Sequence, residues 1–271
     1  MAEFFSLMGL PLLAAMILAG IHAYLGFHVI ERQVIFVDLS LAQIAALGAA
    51  IGALLGFDLH TWPNYFISLG TTFLGAGIFA LSRSRRERVP QEAVIGIVYA
   101  VSSAAAILLL TRAPEGDEHI RHMLVGNILL VTRGEVIRMA LLYGLVGLFH
   151  WKYRRVFLAI SARPGVAFTQ GIRVRKWDFL FYMAFGLVVT SSVEMAGVLL
   201  VFSFLIVPSV IAVLFSHKLS SRLMLGWGVG FGASLAGIYA SYALDLPTGP
   251  SIVCVFGLLF AAAGLIKRLL A

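Results

Sequence analysis

The chain has 271 residues, 61% of them hydrophobic and only 12% charged, whereas a soluble domain carries about 25% charged residues. A water-soluble globular fold is excluded, and at about 20 apolar residues per spanning helix there is no room for a separate soluble catalytic domain. The net charge of +7 would suit a nucleic-acid partner in a soluble protein, but in a membrane chain it reports basic cytoplasmic loops, so no nucleic acid is expected.

The opening MAEFFSLMGL carries an acidic residue and no basic stretch, so it reads as the first span and not as a cleaved leader. Apolar runs fall at roughly 7–30, 34–56, 63–82, 92–111, 136–150, 178–193, 195–215, 223–243 and 249–266. They are continuous, where a barrel strand would alternate. The expectation is an all-α polytopic membrane protein of about nine (eight to nine) transmembrane helices, with 1–271 as a single transmembrane domain. Two places strain the count. Residues 122–132 are apolar but too short to span, which suits a re-entrant or interfacial piece. The run 178–215 is interrupted only around Glu194, so it is two spans with a tight turn or one broken helix lining a cavity.

Basic residues orient the chain. With the N-terminus outside, Arg32, Arg83, Arg85, Arg86, Arg88, Lys152, Arg154, Arg155, Arg163, Arg173, Arg175, Lys176, Lys218, Arg222, Lys267 and Arg268 all fall inside, 16 of the 20. Glu3, Asp58, Glu115, Asp117, Glu118 and Asp245 fall outside with only Arg112 and Arg121. The predicted topology is N-out and C-in. Glycines in short spacing, Gly70, Gly75 and Gly77, then Gly226, Gly228, Gly230 and Gly232, fit close helix packing.

An acidic side chain at a span centre costs about 2.5–3.5 kcal/mol on insertion scales, so each one needs a reason. Asp38 lies one turn inside the second span and Gln43 near its middle, about 140° apart around a regular helix, which keeps them from sharing one ion. The plain reading of Asp38 is a snorkelling or Arg-paired residue near the cytoplasmic face, with Arg32 as a candidate partner, and that of Gln43 an interhelical hydrogen bond. Glu194 at the helix break is the stronger candidate to meet water and a cation; its plain reading is an exposed turn residue. His22 and His28 read as packed residues, and His119 with His122 as part of a solvated loop.

Catalytic signatures do not appear. GxxxxGK[ST], HExxH and GxSxG are missing, so nucleotide hydrolysis by this chain and hydrolase chemistry have no visible machinery. Cys254 is the only cysteine, which leaves no disulfide and no CxxC metal pair.

Four stretches in order resemble the membrane permease family of bacterial ABC importers for zinc, manganese and iron: FVDLSLAQIAALGAAIG (36–52), QEAVIGIVYAVSSAAAILLL (91–110) followed by LVGNILLVT (124–132), MAGVLLVFSFLIVPSVIAVLF (195–215) and LPTGPSIVCVFGLLF (246–260). The run from Gly197 to Pro208 is the most specific. The family's second-span signature places an Asp and a His where this chain has Leu39 and Gln43. Leu offers no ligand and Gln only a weak, hard oxygen, so Asp38 and Glu194 are left as substitutes or the substrate passes differently.

The resemblance implies a non-enzymatic permease subunit in the bacterial inner membrane. It would bind no cofactor of its own and would carry a divalent metal ion as transported substrate past Asp38, Gln43 and Glu194. It further implies a homodimer in membrane lipid, a cytoplasmic ABC ATPase and an extracytoplasmic metal-binding protein. SARPGVAFTQGI (161–172) is similar to the family's ATPase-coupling stretch, with Ala167 and Gly171 matching. A channel or secondary transporter independent of any ATPase is the alternative, and an intramembrane enzyme using Asp38 or Glu194 a weaker one.

Overall fold

The computed structural model describes residues 2–58, 61–83, 89–111, 124–162 and 164–270. The basic residues Arg85, Arg86, Arg88, Arg112, Arg121 and Arg163, the acidic Glu115, Asp117 and Glu118, and the pair His119 and His122 lie outside them. Among the described residues eleven α-helices run in order: α1 (Ala2–Arg32), α2 (Val37–Leu54), α3 (Trp62–Ser82), α4 (Gln91–Leu110), α5 (Arg133–Lys152), α6 (Arg154–Ala162), α7 (Pro164–Thr169), α8 (Val174–Ala196), α9 (Val198–Phe215), α10 (Leu219–Leu244) and α11 (Thr248–Leu270). No strand occurs among the described residues.

Eight of these helices are long and apolar enough to cross a membrane, the lower of the two expected numbers. Of the three helices outside that set, α5 is the one expected as a span, at 136–150. Arg133, Glu135 and Arg138 crowd one end and Lys152 the other, which dilutes its hydropathy although its middle is apolar.

One compact unit comprises Met1–Ile30, Leu124–Leu145 and Ser192–Ala271. Its helices α9, α10 and α11 pack on one another, and small residues set how closely. A Cβ on Gly26 would run into the Leu205 carbonyl, and one on Gly237 into Ile252. Gly226 and Gly230 face Ala23, Ala19 and Pro208, as their spacing suggests, whereas Gly228 and Gly232 have nothing nearby. Trp227 Nε1 donates to the Gly20 carbonyl at 2.9 Å and Phe204 meets Phe256 edge-on.

The other unit comprises Glu31–Met123 and Val146–Ser191. Here α2 packs against α3 and α4. Gly48 lies on Ser68 and Thr71, Gly52 on Asn64, and Gly75 on Ile44. Side chains of α3 bond backbone carbonyls of α2: Ser68 Oγ to Ala45 at 2.8 Å, Asn64 Nδ2 to Ala49 at 3.1 Å and Thr71 Oγ1 to Ile44 at 3.1 Å. Glycine removes the side chain that would hold two helices apart, and a short polar side chain then reaches the exposed carbonyl.

Candidate functional site

Asp38 and Gln43 are both buried on α2, 2% and 6% exposed. Asp38 sits in the first turn, where a carboxylate is favoured by the helix dipole. Arg32 does not pair with it; the ion-pair partner of Arg32 is Asp178, at 2.6 Å. Asp38 instead lies within electrostatic reach of Glu92, whose Oε1 accepts a bond from the Phe36 backbone N–H at 3.0 Å. Asp38 Oδ1 and Glu92 Oε2 are buried with no hydrogen-bond partner among the described residues, as is Ser40 Oγ. A buried oxygen left unpaired costs about 1–3 kcal/mol, so this end of α2 has spare capacity for a cation or a proton. Glu92 went unread in the sequence because it opens the run QEAVIGIV right after Pro90, where an acidic residue passes for an ordinary helix start.

Glu194 belongs to the last turn of α8 and is exposed. The break in the 178–215 run falls at Gly197, with φ of +75°, between α8 and α9. Gly126, with φ of +62°, faces it so closely that a Cβ on either would overlap the other's backbone. Asn127 N–H donates to the Met195 carbonyl at 3.1 Å, and a single 3₁₀ turn follows at Ile128–Leu130. The described part of 122–132 is thus a short piece folded onto the α8–α9 junction and no span. In the same unit His22 Nδ1 donates to the Leu18 carbonyl at 2.8 Å, and its ring meets Tyr143 edge-on.

No group of three or more His, Cys, Asp or Glu side chains that would hold a metal ion occurs among the described residues.

The stretch similar to a coupling segment folds as two short helices. Ala167 is fully buried with Ile160 and Val174, beneath Val156, Ile172 and Trp177, so it seats α7 on α6. Gly171 turns the chain at φ of +73°, a conformation that disfavours other side chains. Gly165, Val166, Thr169 and Gln170 are exposed.

Behind this segment lies a group that sequence reading did not find. Asp178, fully buried in the first turns of α8, binds Arg32 Nη1 at 2.6 Å, and Arg83 Nη1 at 3.1 Å. Its signal was the one used for Asp38, an acid at the start of an apolar run, hidden by the basic residues just before it.

Known proteins with a similar chain carry this further. The manganese transport system membrane protein MntC of Listeria innocua is 28% identical over 243 residues, 88% of this chain and 83% of that protein. The manganese import system permease protein ScaB of Streptococcus gordonii is 26% identical over 252 residues, 92% and 87% of the two chains. The solved structure of PsaBC from Streptococcus pneumoniae in complex with Fab shares the fold, with a TM-score of 0.79 at 22% identity over 97% of this chain and 94% of that one. The model of the ABC 3 transport family matches residues 5–267, and the chain therefore belongs to the ABC 3 transport family of multi-pass membrane proteins.

Proposed function

We propose that the chain is the permease subunit, in one membrane domain over 1–271, of an ATP-driven importer for a divalent transition-metal ion, manganese first among manganese, iron and zinc. The observation that carries this is α6–α7: a chain otherwise made of spans builds a separate folded element with its own apolar core and exposed tip, while carrying no nucleotide-binding motif. Such an element suits docking in a groove of a separate ATPase, whose closure then moves the spans. Family membership and manganese-named relatives support the cargo.

N-out and C-in requires α5 as a ninth crossing. Its 20 residues reach about 30 Å, its charges sit at its ends, and Ile137, Leu141, Leu145 and Leu148 face outward. That orientation places α6–α7 in the cytoplasm. The remaining parts are a second copy of the chain, surrounding lipid, and an extracytoplasmic metal-binding protein that delivers the ion. Asp38 with Glu92, Gln43 and Glu194 are proposed as contacts along its route.

The test is reconstitution of the purified chain with the ATPase encoded beside it. ATP-dependent uptake of Mn²⁺, Fe²⁺ or Zn²⁺ into proteoliposomes is the expected result. Uptake that persists with the ATPase left out would point to a channel or secondary transporter. Asp38→Asn, Gln43→Ala and Glu194→Gln are expected to lower uptake; unchanged uptake removes that side chain from the route.

A further inference from the structure

The ends of three spans and the α6–α7 segment meet at one charge cluster. Arg32 closes α1, Arg83 follows α3, Asp178 opens the buried part of α8, and the last turn of α6 supplies Ile160 and Ser161. Arg32 Nη1 donates to Asp178 Oδ1 at 2.6 Å, Arg32 Nε to Ser161 Oγ at 2.9 Å, and its guanidinium lies 3.9 Å from the Phe181 ring centre. Arg83 Nη1 donates to both Asp178 oxygens at 3.1 Å, and Arg83 Nη2 to the Ile160 carbonyl at 3.3 Å.

Two features set this cluster apart from an ordinary buried ion pair. One carboxylate serves two guanidiniums, and Arg32 Nη2 is buried with no hydrogen-bond partner among the described residues. Removing charges from water without full pairing is expensive, so a fold selected for stability alone has little use for the second arginine. The two arms also differ. Arg32 is pinned by a short bond, a hydroxyl and a ring. Arg83 holds on through longer contacts and borders a cavity of about 320 Å³ that Arg32, Gln91, Glu92 and Ser161 also line.

The Ile160 carbonyl lies in the last turn of α6, where helix carbonyls have no intrahelical partner and a cation is favoured. Arg83 fills that role from another helix. The rest of the seating of α6–α7 is apolar contact around Ile160, Ala167 and Val174, which resists separation but gives little direction. A guanidinium fork fixes both distance and angle.

We infer that Arg83 is a positioning residue that transmits displacement of α6–α7 to the ends of α3 and α8, with the Arg32–Asp178 pair as its fixed anchor. This rests on the reading of α6–α7 as the segment that meets the ATPase. The experiment reads transported ions per ATP, a ratio that a merely structural role leaves unchanged. The permease with its ATPase is reconstituted, and Mn²⁺ uptake and ATP hydrolysis are measured in the same vesicles for wild type, Arg83→Gln and Arg83→Lys. In Arg83→Gln the complex assembles, hydrolysis stays within about twofold, and ions moved per ATP fall about tenfold, inside the usual range of a coupling free energy. In Arg83→Lys, where a point charge replaces the fork, the ratio falls by about threefold.

A wild-type ratio in either variant overturns the inference while leaving import intact. Uptake, hydrolysis and thermal stability falling together in both variants also overturns it, since that is loss of fold. If Arg83→Gln does not assemble, Arg83→Lys decides alone. A wild-type complex that hydrolyses ATP and takes up none of Mn²⁺, Fe²⁺ or Zn²⁺ defeats the import reading itself, and is told apart because the failure appears before any substitution.

Discussion

The glycine-packed helices α1 and α9–α11 and the charge cluster around Asp178 hold their neighbours together by opposite means. In the first, helices approach because side chains are missing: Gly26 admits the Leu205 carbonyl and Gly237 admits Ile252. In the second, helix ends are held by three large charged side chains converging on one point. Backbone contact is short-ranged and tolerates no insertion. Charge is directional, costly to bury and sensitive to loss of a partner. A transporter has use for both, stiff spans and a joint that passes on a displacement.

The contrast can be broken most severely at Asp178. Asp178→Ala leaves Arg32 and Arg83 buried without a counter-charge, and the expected loss is about 3–5 kcal/mol, read as a large drop in thermal stability of the detergent-solubilised protein. Gly26→Leu attacks the other region: overpacking against the Leu205 backbone is expected to cost about 1–3 kcal/mol, measured the same way. Gly197→Ala combines a left-handed φ with collision against Gly126, for a similar or slightly smaller loss of about 1–3 kcal/mol; a wild-type melting temperature would show that the α8–α9 junction has another way to turn.

Two smaller effects sharpen the comparison. Thr71→Val deletes the hydroxyl that the Ile44 and Ser68 carbonyls share and keeps the shape, so about 0.6 kcal/mol is expected, the average for a side-chain hydrogen bond between membrane helices. Gly228→Ala is the control, since nothing lies within reach of the added methyl. Its stability should stay within about 0.5 kcal/mol of wild type, and a larger fall would reveal a neighbour, such as a second copy of the chain, pressed against α10.

How much was legible follows from the kind of signal. Spans were readable because twenty apolar residues in a row have one outcome in a bilayer, and α2, α3, α4 and α8–α11 fall close to the expected ranges. The boundary case was α5, whose charged ends and apolar middle pull the two criteria apart. Gly226 and Gly230 pack as their spacing suggests while Gly228 and Gly232 do not, because four glycines in alternation occupy two faces of a helix and only one face met a neighbour. Asp38 lies buried on α2, but its companion came from α4 and the partner of Arg32 from α8, at separations of 54 and 146 residues that no local pattern encodes.

The sequence by itself determined the class, a helical membrane chain, because hydropathy acts one residue or one run at a time. It also marked an interruption of the 178–215 run around Glu194, which the structure puts at Gly197, where a few neighbouring residues decide the backbone. Only the tertiary structure decided which charges meet. Among the described residues Asp178 takes two arginines and Asp38 takes none, because ion pairing depends on distance through space, and buried charges choose partners only once the helices that carry them have packed.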